Sequence, residues 1–134
     1  MKRLIIAVGL LAGFVGTANA GQVVVAGPLE VDNPVPYNVL LCLASNLSND
    51  TQFFNFTVIS GFDGIPDSTT MNVGVDALAT DVRGHAGGNA LCVWEVDGNP
   101  ETWRFTACVG TNPNLACTGG AVQGRVVPGM RFPG

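Results

Sequence analysis

The chain has 134 residues, of which 47% are apolar and only 12% charged, with a formal net charge of −4. That length fits one domain. Six basic residues in all leave no basic stripe, which excludes nucleic acid as a partner.

Residues 1–20 read as a secretory signal peptide. Lys2 and Arg3 precede an apolar run from Leu4 to Val15, and Ala18-Asn19-Ala20 supplies small residues at −3 and −1. The run is too short to span a bilayer. No cysteine follows it closely, so a lipoprotein is not indicated, and the short basic start looks bacterial. Cleavage after Ala20 leaves residues 21–134 as a single domain. The mature charge becomes −6, with Arg83, Arg104, Arg125 and Arg131 against ten carboxylates and no lysine. No later apolar run approaches about 20 residues, so no transmembrane helix is expected in the mature chain.

All four cysteines, Cys42, Cys92, Cys108 and Cys117, survive cleavage. In an exported chain an even count favours disulfides. Zinc is the alternative, but no pair has the C-x₂₋₄-C spacing that usually opens such a site. Cys108 and Cys117 bracket a turn-rich segment, which predicts a local bridge and leaves Cys42 to Cys92.

The mature chain lacks sustained helical periodicity. Short runs rich in Val, Phe, Thr and Leu alternate with clusters of Gly, Pro, Asn and Asp, the pattern of antiparallel strands. Seven candidates follow in chain order: residues 22–26, 37–44, 52–60, 71–78, 90–96, 102–109 and 121–127. Seven strands predict an all-β, antiparallel two-sheet sandwich, with a small barrel as the alternative. Strand 37–44 is apolar on both faces, as in a central strand or one whose outer face is covered. In 52–60, Phe54, Phe56 and Val58 form the core face, and Phe53, Asn55 and Thr57 the other. Trp94 and Trp103 point inward in 90–96 and 102–109. Reading Asp97 to Pro100 as a four-residue hairpin loop sets Trp94 opposite Trp103 and Cys92 opposite Phe105. That register puts Cys92 inside and Cys108 outside, against a bridge between them. The connections 63–68 and 83–89 read as the most turn-rich loops.

Val39-Leu-Leu-Cys-Leu-Ala-Ser-Asn46 followed by Phe54-Asn-Phe-Thr-Val58 resembles consecutive strands of bacterial immunoglobulin-like sandwich domains. Phe54 or Phe56 stands where antibody domains carry a tryptophan. The resemblance implies a fold and carries no function.

No catalytic set emerges. His85, the one histidine, lies in a Gly-rich stretch with no recognisable nucleophile motif around it. Glu95, Asp97 and Glu101 are neighbours in sequence, which does not make a glycosidase pair. Asp63, Asp67 and Asp97 offer loop oxygens for Ca²⁺ without an EF-hand pattern, so neither a metal nor a cofactor is assigned. Asn46, Asn49 and Asn55 fit the glycosylation rule by chance in an Asn/Ser/Thr-rich chain. Tyr37, Phe53, Asn55 and His85 form the candidate binding surface. The expected function is that of an exported, non-enzymatic binding or adhesion module for an unknown protein or glycan. Two alternatives stand beside it. One is a subunit of an assembled surface structure, since open sheet edges permit strand addition and the mature chain lacks edge-protecting lysine. The other is an enzyme inhibitor acting through residues 110–115 inside a Cys108–Cys117 ring.

Overall fold

The computed structural model describes residues 21–31, 38–60, 70–86, 88–111 and 115–132. The candidate signal peptide and Tyr37 lie outside them, as do Asp63, Asp67 and the whole 63–68 connection. Among the described residues nine strands form two open antiparallel sheets: β1 (Gln22–Val31), β2 (Asn38–Asn46), β3 (Gln52–Ser60), β4 (Met71–Val75), β5 (Thr80–Ala86), β6 (Gly88–Val96), β7 (Trp103–Thr111), β8 (Ala116–Gln123) and β9 (Arg125–Val126). One sheet runs β4-β3-β6-β1-β9 and the other β5-β2-β7-β8. The sandwich is therefore as expected, and it does not close into a barrel.

Strand alternation fixes the core. Phe54, Phe56, Trp94 and Val96 from the five-stranded sheet meet Leu40, Trp103, Phe105 and Ala107 from the other, all buried. Phe105 is the hinge of the aromatic cluster, 4.7 Å from the Trp94 ring and stacked at 5.4 Å on Trp103. Phe54 meets Trp103 edge-on at 5.5 Å. Strand β2 lies between β5 and β7, and its outer face is partly covered, with Val39 and Leu43 half-buried. Leu41 is fully buried there beside Cys108, its cross-strand partner. This accounts for a strand that is apolar on both faces.

Both disulfides have the expected pairing. Cys42–Cys92 ties β2 to β6, hence one sheet to the other, and Cys108–Cys117 ties β7 to β8 within one sheet.

Three expectations are corrected. Trp94 and Trp103 are not a cross-strand pair. Trp94 pairs with Val24 and Phe56, and Trp103 with Asn46. Both rings do face inward, but β6 and β7 belong to different sheets. A 3-10 turn at Pro100–Thr102 carries the chain across the sandwich, with the Asn99 side chain accepting from the Glu101 N–H. Cys108 faces outward all the same, because alternation along β7 alone places it there. Next, most of the Gly-rich stretch 83–89 is strand. β5 pairs with β2 from Val39↔Ala86 to Ser45↔Thr80. It is an edge strand whose polar residues and Gly84 made it read as a loop. Finally, the candidate strand 121–127 is two strands in different sheets, divided at Gly124. A Cβ there would stand 2.7 Å from Cβ of Phe105 and 3.0 Å from Val24, so only glycine passes between the layers.

The strand order also differs from that of constant-type immunoglobulin domains. There the strand after the second bridging cysteine pairs beside it in the same sheet. Here β7 joins β2 in the other sheet, and β1 flanks β6 instead.

Candidate functional site

Three connections meet at one end of the sandwich: 47–51 after β2, 76–79 after β4 and 97–102 after β6. Asn46, the buried last residue of β2, organises them. Its Nδ2 donates to the carbonyls of Asp50 at 2.7 Å, Val75 at 3.0 Å and Asp76 at 3.2 Å. Its Oδ1 accepts from the Ser48 N–H, the Ser48 hydroxyl and Gln52 Nε2 at 2.7–2.9 Å. The other end of the Gln52 amide accepts from the Thr102 hydroxyl at 3.1 Å, which also lies 2.7 Å from the Asn99 carbonyl. Backbone bonds complete the tie, from Asn46 N–H to Ala79 O, Leu47 N–H to Thr102 O and Leu78 N–H to Ser48 O. A saturated buried amide of this kind fixes loop geometry, because each lost partner leaves a polar group without water. It also removes Asn46 from the glycosylation candidates.

On this rigid frame two leucines face solvent. Leu47 is 49% exposed and Leu78, 71%. Leu78 sits at φ 56°, a left-handed conformation that costs a branched side chain about 1 kcal/mol. The same three connections carry Asp50, Asp76, Asp97 and Glu101, all exposed and none in an ion pair among the described residues. They do not form a metal cage, since no group of three or more potential ligands converges among the described residues. The arrangement offers an apolar projection with an acidic rim.

The residues singled out from sequence fall elsewhere. Phe53 and Asn55 lie on the outer face of the five-stranded sheet. Phe53 is 53% exposed, but its ring covers Gly74, filling the space where a Cβ would stand. Asn55 donates to Glu95 and accepts from Asn72, a polar ladder across β4, β3 and β6 that uses both ends of its amide. His85 belongs to β5 in the other sheet, its backbone opposite Leu40, so the fold does not gather it with Phe53. Asp81, a conceivable partner for His85, is bound to Arg83 at 2.8 Å. Residues 112–114 of the Cys108–Cys117 ring lie outside the described set. A surface hollow of about 280 Å³ between the start of β1 and residues 126–130 has no titratable side chain in its lining.

Leu78 is hidden in the sequence because it extends a strand-like run, 71–78, that in fact ends at Val75. The signal that could have found it is Asp76, a turn former immediately after Val75.

Compared with protein-family models, with curated proteins and with solved structures, the chain matches none.

Proposed function

We infer that the protein is an exported, non-enzymatic binding module that engages a partner protein through the loop end built on Asn46. The observation that carries this reading is the pair of solvent-facing leucines held on a hydrogen-bonded frame whose connections also carry four exposed acidic residues. Exposed aliphatic side chains on a rigid loop end favour a protein recess over a glycan, which stacks on planar aromatic rings. The acidic rim calls for a basic surround on the partner, which speeds encounter and fixes orientation. Export is supported by the leader-like residues 1–20 together with the two disulfides. The sandwich serves as a stiff support for loops, a common division of labour.

A photo-crosslinking residue, p-benzoylphenylalanine, placed at position 78 in the producing cell tests the reading, with position 53 as the control. The expected result is one discrete adduct from position 78 and none from 53. It should disappear when Asp76, Asp97 and Glu101 become Asn, Asn and Gln, and the adduct peptide should come from a basic surface. No adduct at 78, or adducts indifferent to the rim charges, would overturn the proposal.

A further inference from the structure

A sheet edge on the opposite chain segment carries a separate inference. The two sheets end in four edge strands, β4 and β9 in one, β5 and β8 in the other. They differ sharply in how open they are to a further strand. β4 has five residues and β9 two. β5 has seven but carries the Arg83–Asp81 ion pair, and charge on an edge is a common guard against pairing. β8 has eight residues, all exposed, and no charge.

The lack of charge extends well beyond β8. Residues 105–124 contain no Asp, Glu, Lys, Arg or His, the longest such run outside the leader-like segment. Two copies of an acidic chain repel each other over most of their surface, and this hairpin is where they do not. β8 also carries glycines that its own chain does not require. Gly119 and Gly120 have no positive φ, and a Cβ at either would meet nothing within 4 Å. Glycine weakens a strand, and in a strand it marks places where another backbone comes close. Val122 on β8 and Val126 on β9, each exposed, add aliphatic surface along the same margin, since Gly124 alone separates the two strands.

We propose that β8 is a homodimer edge, pairing antiparallel with β8 of a second copy to make one continuous eight-stranded sheet. The occupant is a second copy because the edge is self-complementary: an uncharged strand set against itself brings no like charges together. In an antiparallel pair of identical strands the two-fold axis passes midway between a residue and its own copy, since hydrogen-bonded and non-bonded pairs alternate. Gly119 or Gly120 at that axis leaves no pair of side chains to crowd each other on the face of the sheet there. The pairing closes at two copies, because both β8 edges are consumed and the outer edges become the charged β5 strands.

Sedimentation equilibrium of the disulfide-bonded protein, from low to high micromolar concentration, tests this. The wild type is expected to reach twice the chain mass, with amides 116–123 exchanging more slowly as concentration rises. Gly120→Lys should stay at the chain mass throughout, with both disulfides and the β circular dichroism retained, because the added side chain has open space in the monomer. The Asp76→Asn/Asp97→Asn/Glu101→Gln variant should dimerise like the wild type while losing the partner adduct from position 78, which separates this proposal from the loop-end reading. A wild-type monomer at all concentrations, an unaffected Gly120→Lys dimer, a monomeric charge-neutralised variant or a ladder of higher masses would each overturn it.

Discussion

Asn46 shows how one side chain can set the shape of a loop end. The backbone carbonyls of Asp50, Val75 and Asp76 converge on its Nδ2, and three donors from Ser48 and Gln52 converge on its Oδ1. Replacing it by Ala leaves these groups without their partner in a buried to half-buried site. The expected loss is about 3 kcal/mol, from several buried polar groups left unpaired at once. Asn46→Asp keeps the shape but turns the donor into an acceptor facing three carbonyl oxygens, so it should cost at least as much. Urea unfolding of both variants checks this, and a loss under about 1 kcal/mol, the worth of one ordinary hydrogen bond, would show that the network is not what holds the loops. None of this was legible in the sequence. Asn46 there reads as a turn residue or a glycosylation acceptor, because its value comes from carbonyls about thirty positions away. Phe53 and Asn55, by contrast, were correctly placed on an outer face by alternation alone. What alternation could not reveal is that Gly74 and Asn72 on the neighbouring strand would occupy them.

At the level of elements, alternation is a local property and pairing is not. The inward residues of β3, β6 and β7 followed from period two within each strand, and they are buried where expected except Val109, which is half-buried against the core. The pairing of β6 with β7 failed because adjacency in sequence was taken for adjacency in a sheet. The capped 3-10 turn at Pro100–Thr102 leads the chain from one sheet to the other instead of back beside β6. The glycines divide in the same way. Gly110 and Gly124 are required: a Cβ at Gly110 would overlap Leu41 and lie 2.5 Å from the Ala116 carbonyl, and one at Gly124, 2.7 Å from Phe105. Gly119 has open space. In the monomer, Gly110→Ala and Gly124→Ala should each lose about 1–3 kcal/mol through overpacking. Gly119→Ala should gain about 0.5 kcal/mol from the lower entropy of the unfolded chain. Denaturation midpoints at concentrations too low for association give the comparison, and three equal effects would refute the distinction.

For the whole molecule the two bridges do different work. Cys42 and Cys92 stand 50 residues apart in sequence, at the centre of the core, and join the sheets. Cys108 and Cys117 are nine apart, and Cys117 is exposed on an edge strand. By the chain-entropy account, closing the longer loop contributes about 4 kcal/mol and the shorter about 3. Losing Cys42–Cys92 also empties sulfur from a packed layer, which adds a cavity term of about 1 kcal/mol or more. Domains of this size hold only about 5–15 kcal/mol of net stability. The Cys42→Ala/Cys92→Ala protein should therefore be close to unfolded at 37 °C. Cys108→Ala/Cys117→Ala should remain folded, with its losses confined to amides of β8 and the end of β7. Hydrogen exchange of the two double variants distinguishes these outcomes. Global loss of protection from the short-loop variant, or local loss from the long-loop one, would reverse the assignment of which bridge holds the sheets together.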